Sequence, residues 1–389
     1  MKLTSLPPLS LYIHFPWCIK KCPYCDFNSH QVKNTSGDPS TGFDETRYLH
    51  CLREDLSAQL ASVWGRRVHS VFIGGGTPSL ISPTGIAQLM SDIRALLPIN
   101  ADAEITLEAN PGTFEQEKFQ AFRDAGVNRL SIGVQSFNDT HLQSLGRVHN
   151  SEMAQAAIQY AQSLFDEVNI DLMYALPQQS LAMAKRDIET AISFQTSHLS
   201  LYHLTLEPNT YFAKYPPVLP EDDLAHIMQE ELMATIAAAG YQRYEVSAYA
   251  KKGSRCQHNM NYWQFGDYLG IGAGAHGKIS SAFGIRRTTR EKHPESYMQQ
   301  MEKNPQVFIE ERELDRHDLP FEFMLNTLRL VEGVPTEYFK ERTGLEISVI
   351  QREIQEALRK NLLDEDPRYL KASPLGMQYL NELQMLFLK

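Results

Sequence analysis

No apolar run in the chain is long enough to cross a bilayer, so membrane insertion is not expected. The opening stretch, MKLTSLPPLSLYIHF, holds one lysine, two prolines and no apolar segment followed by a small-residue cleavage site. No secretory leader is expected either. Both absences place the chain in a reducing cytoplasm, where disulfides are rare. Cysteine is scarce, five in 389 residues, and three of the five crowd into one short stretch. Without an oxidising compartment, that crowding reads as metal or redox chemistry and not as a disulfide framework. Positive charge is also short: 37 Lys and Arg against 47 Asp and Glu leave a formal charge of −10. Nucleic acids and anionic membranes need a basic footprint, so the charge argues against both as partners. What is there, 42% hydrophobic and 22% charged residues, suits a soluble globular protein, and the length suits two or three domains.

Short apolar runs bounded by Gly, Pro or Asn recur at 11–15, 70–74, 104–109, 129–134, 168–174 and 199–206. Apolar on both faces, they are expected to be buried parallel strands. Amphipathic stretches at 44–64, 83–97, 114–125, 151–164, 180–195 and 221–239 are expected to be helices, the first opened by an Asp cap. Strand–helix alternation with right-handed crossovers gives an α/β fold, a parallel sheet wound on itself. Six units make an incomplete (β/α)6 barrel of the TIM type, short of the full eight and open on one side. The polar, turn-rich residues 28–43 are expected to form a flexible loop. Residues 246–312 lack clear periodicity and are expected to connect and close the barrel of residues 1–245. Residues 313–389 run helix, helix, hairpin-like wing, helix, a winged-helix-like C-terminal domain. Such a domain often reads DNA. From Asp315 to Lys389, however, 10 Lys and Arg stand against 13 Asp and Glu, which favours protein docking or a lid.

The cysteine cluster is CIKKCPYCDF, residues 18–27. It follows the first strand, at the end of a barrel where catalytic residues gather. Cys18, Cys22 and Cys25 fit a tight loop wrapping one corner of a cubane cluster. A structural zinc site would want a fourth ligand, for which His14 or His30 is at hand. A 4Fe–4S cluster on three thiolates instead leaves one iron open to a substrate or cofactor. The second feature is FIGGGTPSL, 72–80. A strand ending in glycines lets backbone approach a ligand closely, or simply makes a tight strand–helix turn. Glu108, Gln135, Arg147 and Asp171 fall at or near the ends of later strands. Each alone reads equally well as a structural polar residue. Together they offer carboxylates for hydroxyls or an amino group and a guanidinium for a carboxylate. Tyr12 and His14 face the same mouth. The last feature is RCQHNMNYWQFGDYLGIGAGAHG, 255–277. His258, Cys256 or His276 can ligate a porphyrin-bound iron, and Tyr262 and Trp263 can stack on the macrocycle. The same segment can equally seal a barrel mouth, with His258 as hydrogen-bonded structure. Cys51, inside a predicted helix, is expected in the core.

CxxxCxxC with an aromatic, Tyr24, before the last cysteine resembles the radical S-adenosylmethionine (SAM) superfamily. The resemblance implies a 4Fe–4S cluster on Cys18, Cys22 and Cys25, with SAM chelated to the open iron through its amino and carboxylate groups. It implies an electron donor that reduces the cluster, so that the C5′–S bond of SAM breaks to a 5′-deoxyadenosyl radical; that chemistry belongs to the cofactor. It also implies that Gly75, Gly76 and Thr77 meet the methionyl amino group. Residues 10–280 resemble the oxygen-independent coproporphyrinogen III dehydrogenase-like branch. There the positions of Tyr12, Gly76, Glu108, Gln135, Arg147 and Asp171 contact SAM, and Tyr24 is placed with them. Two features depart from the dehydrogenase itself. Its motif carries a further cysteine where Phe27 stands here, and it has a longer segment before the cluster than the 17 residues that precede Cys18. Both weigh against radical decarboxylation of coproporphyrinogen III and leave it as the alternative. They are similar instead to the HemW-type heme chaperones, whose heme-associated motif is HNxxYW. That resemblance implies heme as a third cofactor, with His258 as candidate ligand, and a heme-acceptor protein, such as a respiratory hemoprotein, as partner. A homodimer is compatible with it.

Overall fold

The computed structural model describes residue 3 and residues 5–32, 42–112 and 118–388. Six strands pair in chain order and all parallel: β1 (Leu9–Phe15), β2 (Val68–Gly75), β3 (Ile99–Ala109), β4 (Arg129–Gln135), β5 (Glu167–Tyr174) and β6 (His198–His203). Helices Glu45–Gln59, Pro83–Leu96, Phe119–Asp124, Ser151–Leu164, Leu181–Ser193 and Asp222–Ala238 follow them one by one. These are the six βα units expected of the incomplete barrel. Asp44, Ser82, Asn150 and Ser180 cap four of the helices, each accepting from a backbone N–H three residues on and so satisfying an orphan donor of the first turn. Part of the expected loop 28–43 (residues 33–41) and part of the expected helix 114–125 (residues 114–117) lie outside the described residues.

The strands are not apolar on both faces. Leu9, Leu11, Ile13 and Phe15 of β1 join Val71, Ile73, Leu107, Leu130, Ile132, Ile170 and Leu172 in one core beneath the helices. The intervening residues point the other way and bond across the strands. Ser10 Oγ lies 2.7 Å from Ser70 Oγ, Ser131 Oγ donates to Asp171 at 3.0 Å, and Asn169 Nδ2 donates to Ser131 Oγ at 2.8 Å. His198 Nδ1 meets Asn169 Oδ1 at 2.6 Å. The barrel interior therefore carries polar groups, and these strands pair them with one another.

Residues 246–312, expected as an aperiodic connector, extend the sheet. After β7 (Gln242–Arg243), the strand β8 (Ala248–Ala250) pairs antiparallel with both β6 and β7. On the other flank β9 (Asp267–Ile271) pairs parallel with β1, Leu9 opposite Asp267. Strands β10 (His276–Ser280), β11 (Ile285–Thr289) and β12 (Glu310–Glu313) continue it as an antiparallel meander. A buried ion pair holds this flank to the helix Glu45–Gln59. Arg290 meets Asp55, both side chains almost wholly out of solvent, and Asp55 Oδ2 also accepts from Tyr297 Oη at 2.8 Å and Gly272 N at 3.1 Å. Cys51 is buried beside them, as a core residue should be.

The C-terminal helices Asp318–Thr327, Glu337–Thr343, Gln351–Arg359, Pro374–Gln378 and Leu380–Met385 enclose a second core of Phe323, Leu328, Phe339, Ile350, Leu363 and Phe387. A two-residue ladder, Val334–Pro335 with Tyr369–Leu370, and a bridge between Leu363 and Ala372 supply the wing. The helix Gln257–Trp263 lies between the two cores. Its His258 and Asn261 turn into the barrel, while Met260 and Trp263 pack on the C-terminal core, the split expected of residues on alternate helical faces.

Candidate functional site

The cysteine loop is pinned from several sides. Val32 N–H donates to Cys18 O at 2.9 Å, Cys25 N–H to Cys22 O at 3.2 Å, and Phe212 N–H to Pro23 O at 2.9 Å. Asn28 closes it against the meander flank, donating through Nδ2 to Ala273 O at 2.9 Å and to Lys292 O at 2.8 Å. Its own carbonyl accepts from His14 Nε2 at 2.8 Å, and His14 Nδ1 in turn accepts from Tyr12 Oη at 2.9 Å. His14 thus spends both ring nitrogens on structure. His30 Nε2 lies 3.2 Å from Asn28 Oδ1. Phe27 is 59% exposed at the loop's edge.

The glycine turn at the end of β2 is built around this loop. Gly76 N–H donates to Phe15 O and Thr77 N–H to Trp17 O, both at 2.7 Å. A Cβ on Gly76 would lie 2.5 Å from the Trp17 carbonyl oxygen. Gly75 has φ +116 and would put a Cβ against the His14 ring. Gly76 is required because the backbone at Phe15 and Trp17 comes this close, and Gly75 because its φ and the His14 ring leave no room for a Cβ. Thr77 also bonds Cys18, and its Oγ1 accepts from Asn110 Nδ2 at 3.1 Å.

Arg147 stands at the centre of the rim. Its Nη2 donates to Asn110 Oδ1 and Gly133 O, both at 2.6 Å, and its Nη1 to Cys22 Sγ at 3.7 Å. Its Nε is buried without a partner. Tyr24 packs beside it among Leu145, Met173, Leu204 and Phe212. Gln135, at φ +70 where β4 slips register against β5, lies with Arg147 beside Gly133; such bulges re-aim a side chain. Glu108 Oε2 accepts from Gly75 N–H at 3.1 Å. Burial first, then the negative charge of Asp171, pushes its carboxyl up to about 8. Burial also raises Asp171, against hydrogen bonds from Asn169, Ser200 and Ser131. Burial likewise raises the Cys18 thiol to about 11, opposed by Thr77, and raises the Cys25 thiol, opposed first by the Phe27 backbone and Ser29 and then by Lys21. A bound metal must displace those protons.

The donor chemistry fits an iron–sulfur cluster. Soft thiolates select such clusters or zinc; structural zinc wants a fourth protein ligand, and His14, one of the two at hand, spends both ring nitrogens on Tyr12 and Asn28. The orphaned Nε of Arg147, beside Cys22, is a buried donor awaiting an acceptor.

The structure brings Gly75, Gly76, Thr77, Glu108, Gln135 and Arg147 together with the cysteines at the C-terminal end of the strands, while Tyr12 and Asp171 sit mid-strand, Tyr12 against Phe72 and Asp171 bonded to Ser131 and Asn169. It does not bring His258 to the cysteines. His258 lies inside the barrel toward its N-terminal end, 8% exposed, its Nδ1 at 3.2 Å from Ser70 Oγ. Its ring lies 5.0 Å from Phe72 and 6.4 Å from Tyr12. Burial, then the positive charge of Arg129, pushes it down to about 3, so it is neutral. Glu104 anchors its helix, accepting from Gln257 N–H, His258 N–H and Cys256 Sγ at 3.0, 3.1 and 3.3 Å. Cys256 is thereby committed to the barrel floor. His276 sits on β10 with Nδ1 at 3.2 Å from Thr289 Oγ1. Asn28, Asn110 and Glu104 were not singled out from the sequence. Asn110 lies within EANPG beside Glu108, and Asn28 directly follows Phe27, so proximity to the motifs was the available signal.

Residues 12–191 match the family model of the radical SAM superfamily, and residues 314–379 that of the HemN C-terminal domain. The chain is 48% identical to the heme chaperone HemW of Escherichia coli (strain K12), over 99% of this chain and 100% of that one. It is 46% identical to the heme chaperone HemW of Haemophilus influenzae (strain ATCC 51907 / DSM 11121 / KW20 / Rd), over 99% of each. Radical S-adenosyl methionine domain-containing protein 1, mitochondrial, of Bos taurus is 36% identical over 97% of this chain and 87% of its own. The solved structure of coproporphyrinogen III oxidase (HemN) from Escherichia coli, a radical SAM enzyme, superimposes with a TM-score of 0.83 at 23% identity, covering 98% of this chain and 90% of that one. That likeness shows the fold, and the end-to-end identity shows the lineage: the chain belongs to the HemW heme-chaperone family within the radical SAM superfamily.

Proposed function

We propose that the chain is a heme chaperone, which binds heme and a SAM-ligated 4Fe–4S cluster and passes heme to an acceptor protein. The observation that carries this is the identity with the HemW heme chaperones over the whole chain. Cys18, Cys22 and Cys25 hold the cluster, and Arg147 and Lys21 place positive charge beside its thiolates. The backbone of Gly75, Gly76 and Thr77, with Tyr12, Tyr24, Glu108, Gln135, Arg147 and Asp171, forms the cradle for SAM. Arg147 Nε takes a carboxylate or sulfur acceptor. Glu108, neutral near pH 7 while the cradle is empty of charge, can give up its proton to a ligand's cationic group. Asp171 is held by its strand neighbours in position to accept a hydroxyl. When bound, cluster and SAM supply one-electron chemistry; these residues bind, orient and exclude water.

The acceptor is a heme protein such as a respiratory hemoprotein, docked through residues 313–389, and a cytoplasmic donor reduces the cluster. Two copies of the chain can present two such sites. His258 can ligate heme iron through its neutral imidazole if the helix Gln257–Trp263 leaves the barrel floor. The test is anaerobic: reconstituted protein with SAM and coproporphyrinogen III, beside a heme titration. Tight heme binding without porphyrinogen turnover supports the chaperone. Formation of protoporphyrinogen sinks it in favour of the dehydrogenase, whose further cysteine is replaced here by Phe27.

A further inference from the structure

We infer a surface heme site in the cleft between β11 and the helix Asp318–Thr327, with His317 as iron ligand. The inference rests on the chain being a heme binder and adds where the heme sits. The cleft measures about 320 Å³ and is lined by Tyr262, Arg287, Arg312, His317, Phe321 and Leu325 among others. Tyr262 connects it to the HNxxYW segment. In that helix His258 and Asn261 are turned into the barrel and Trp263 into the C-terminal core. Tyr262 turns outward, its ring 5.1 Å from that of Tyr268 and 4.9 Å from that of Trp263. It is the motif residue that lines the cavity.

The opposite wall sets Phe321, Leu325 and Leu388 among Asp318, Glu322 and Asn326, with Leu325 40% and Leu388 49% exposed. An exposed apolar patch rimmed by charge marks a binding surface. Heme matches this lining: two apolar faces, anionic propionates at one edge and an iron that takes imidazole. Arg312 is the cation for a propionate. Its guanidinium is 46% exposed and shared among Glu310 at 3.3 Å, Asp318 at 3.1 Å and Glu322 at 3.3 Å. Exposed pairs of this kind are worth little, so a propionate can replace one. Arg287 is already fixed by Glu322 and by Tyr268 Oη and serves as wall. His317 begins the helix Asp318–Thr327. Its backbone N–H donates to Asp315 Oδ1 at 2.6 Å, while its exposed imidazole makes no hydrogen bond among the described residues. It is a ligand that needs no rearrangement, whereas His258 must first leave the floor of the barrel.

The volume lies at the lower end of the roughly 300–1,000 Å³ of ligand pockets. The cleft therefore grips one edge of the macrocycle and leaves the other open, as a carrier that must let go requires.

Ferric heme is titrated into the purified full chain and into His317→Ala, Arg312→Ala, Tyr262→Ala and, as a control on a remote exposed histidine, His226→Ala, with circular dichroism confirming each fold. The expected result is a shifted Soret maximum and at least tenfold weaker binding in His317→Ala. Arg312→Ala and Tyr262→Ala should weaken binding several-fold with the wild-type maximum kept, and His226→Ala should match wild type. An unchanged band and affinity in His317→Ala would overturn the inference, as would loss of the band in His258→Ala alone. Failure of the wild-type chain to bind heme would instead overturn the chaperone function itself.

Discussion

Glu108 should make the barrel less stable as pH rises. Its carboxyl stands at about 8 against an ordinary 4.5, because burial and the neighbouring Asp171 disfavour its charge. In the unfolded chain it ionises near 4.5, so between there and about 8 the unfolded state carries the charge and the folded state does not. Below both values nothing is lost; with rising pH the fold loses about 1.4 kcal/mol per pH unit. By pH 7 the loss reaches about 3 kcal/mol on this slope, and less where solvent reaches the half-buried carboxyl. Glu108→Gln removes the titration and keeps an oxygen for the Gly75 N–H, which now bonds at 3.1 Å. Urea unfolding of the metal-free protein, followed by circular dichroism from pH 4 to 9, is the assay. Wild type and variant should match at the acid end, and the variant should be the more stable by about 2–3 kcal/mol at pH 7. Parallel pH profiles would refute the reasoning, because they would mean that Glu108 titrates normally in the fold. SAM brings positive charge to the same place, so its uptake near pH 7 should release a proton; buffers of differing ionisation enthalpy would reveal it in calorimetry.

Cys22→Ser should abolish the absorbance of a reconstituted cluster together with SAM cleavage, and iron retained at full stoichiometry would speak against a three-cysteine site. Gly76→Ala would drive a Cβ to 2.5 Å from the Trp17 carbonyl, so the cysteine loop must shift; iron loading should fall several-fold while far-ultraviolet circular dichroism stays the same. Arg290→Met leaves Asp55 buried without its cation and should cost about 3–5 kcal/mol. Thermal unfolding reads it, and a melting point equal to wild type would show that the pair carries no weight.

The βα order was legible because run length and period decide it: six short apolar runs with amphipathic helices between them admit few other arrangements. The cysteines and the glycine turn were legible from spacing. The polar lining of the barrel was not. Ser10, Ser70, Ser131 and Asn169 are small enough to pass within apolar runs, and only the folded sheet sets them opposite one another. Nor was β9, whose DYLGI is five residues long and contains Gly270. A Cβ there would lie 1.9 Å from the His276 carbonyl, so the glycine that weakened the strand signal is required by the hairpin it enters. His258 was legible as a residue to watch but not as a plug, since its neighbours Ser70, Phe72 and Glu104 are remote in sequence.

The order of synthesis gives the closing Asn28 contact a temporal meaning. β1 and the cysteine loop emerge early from the ribosome, yet Leu9 pairs with Asp267, and Asn28 grips Ala273 and Lys292. Domains fold as units while being made, and contacts this distant in the chain form last. Until some three quarters of the polypeptide has been translated, the cysteine loop lacks the flank that Asn28 closes against. Iron delivery therefore belongs after elongation, and a nascent chain stalled before β9 would expose three unprotected thiols to oxidants rather than present a half-built cofactor site.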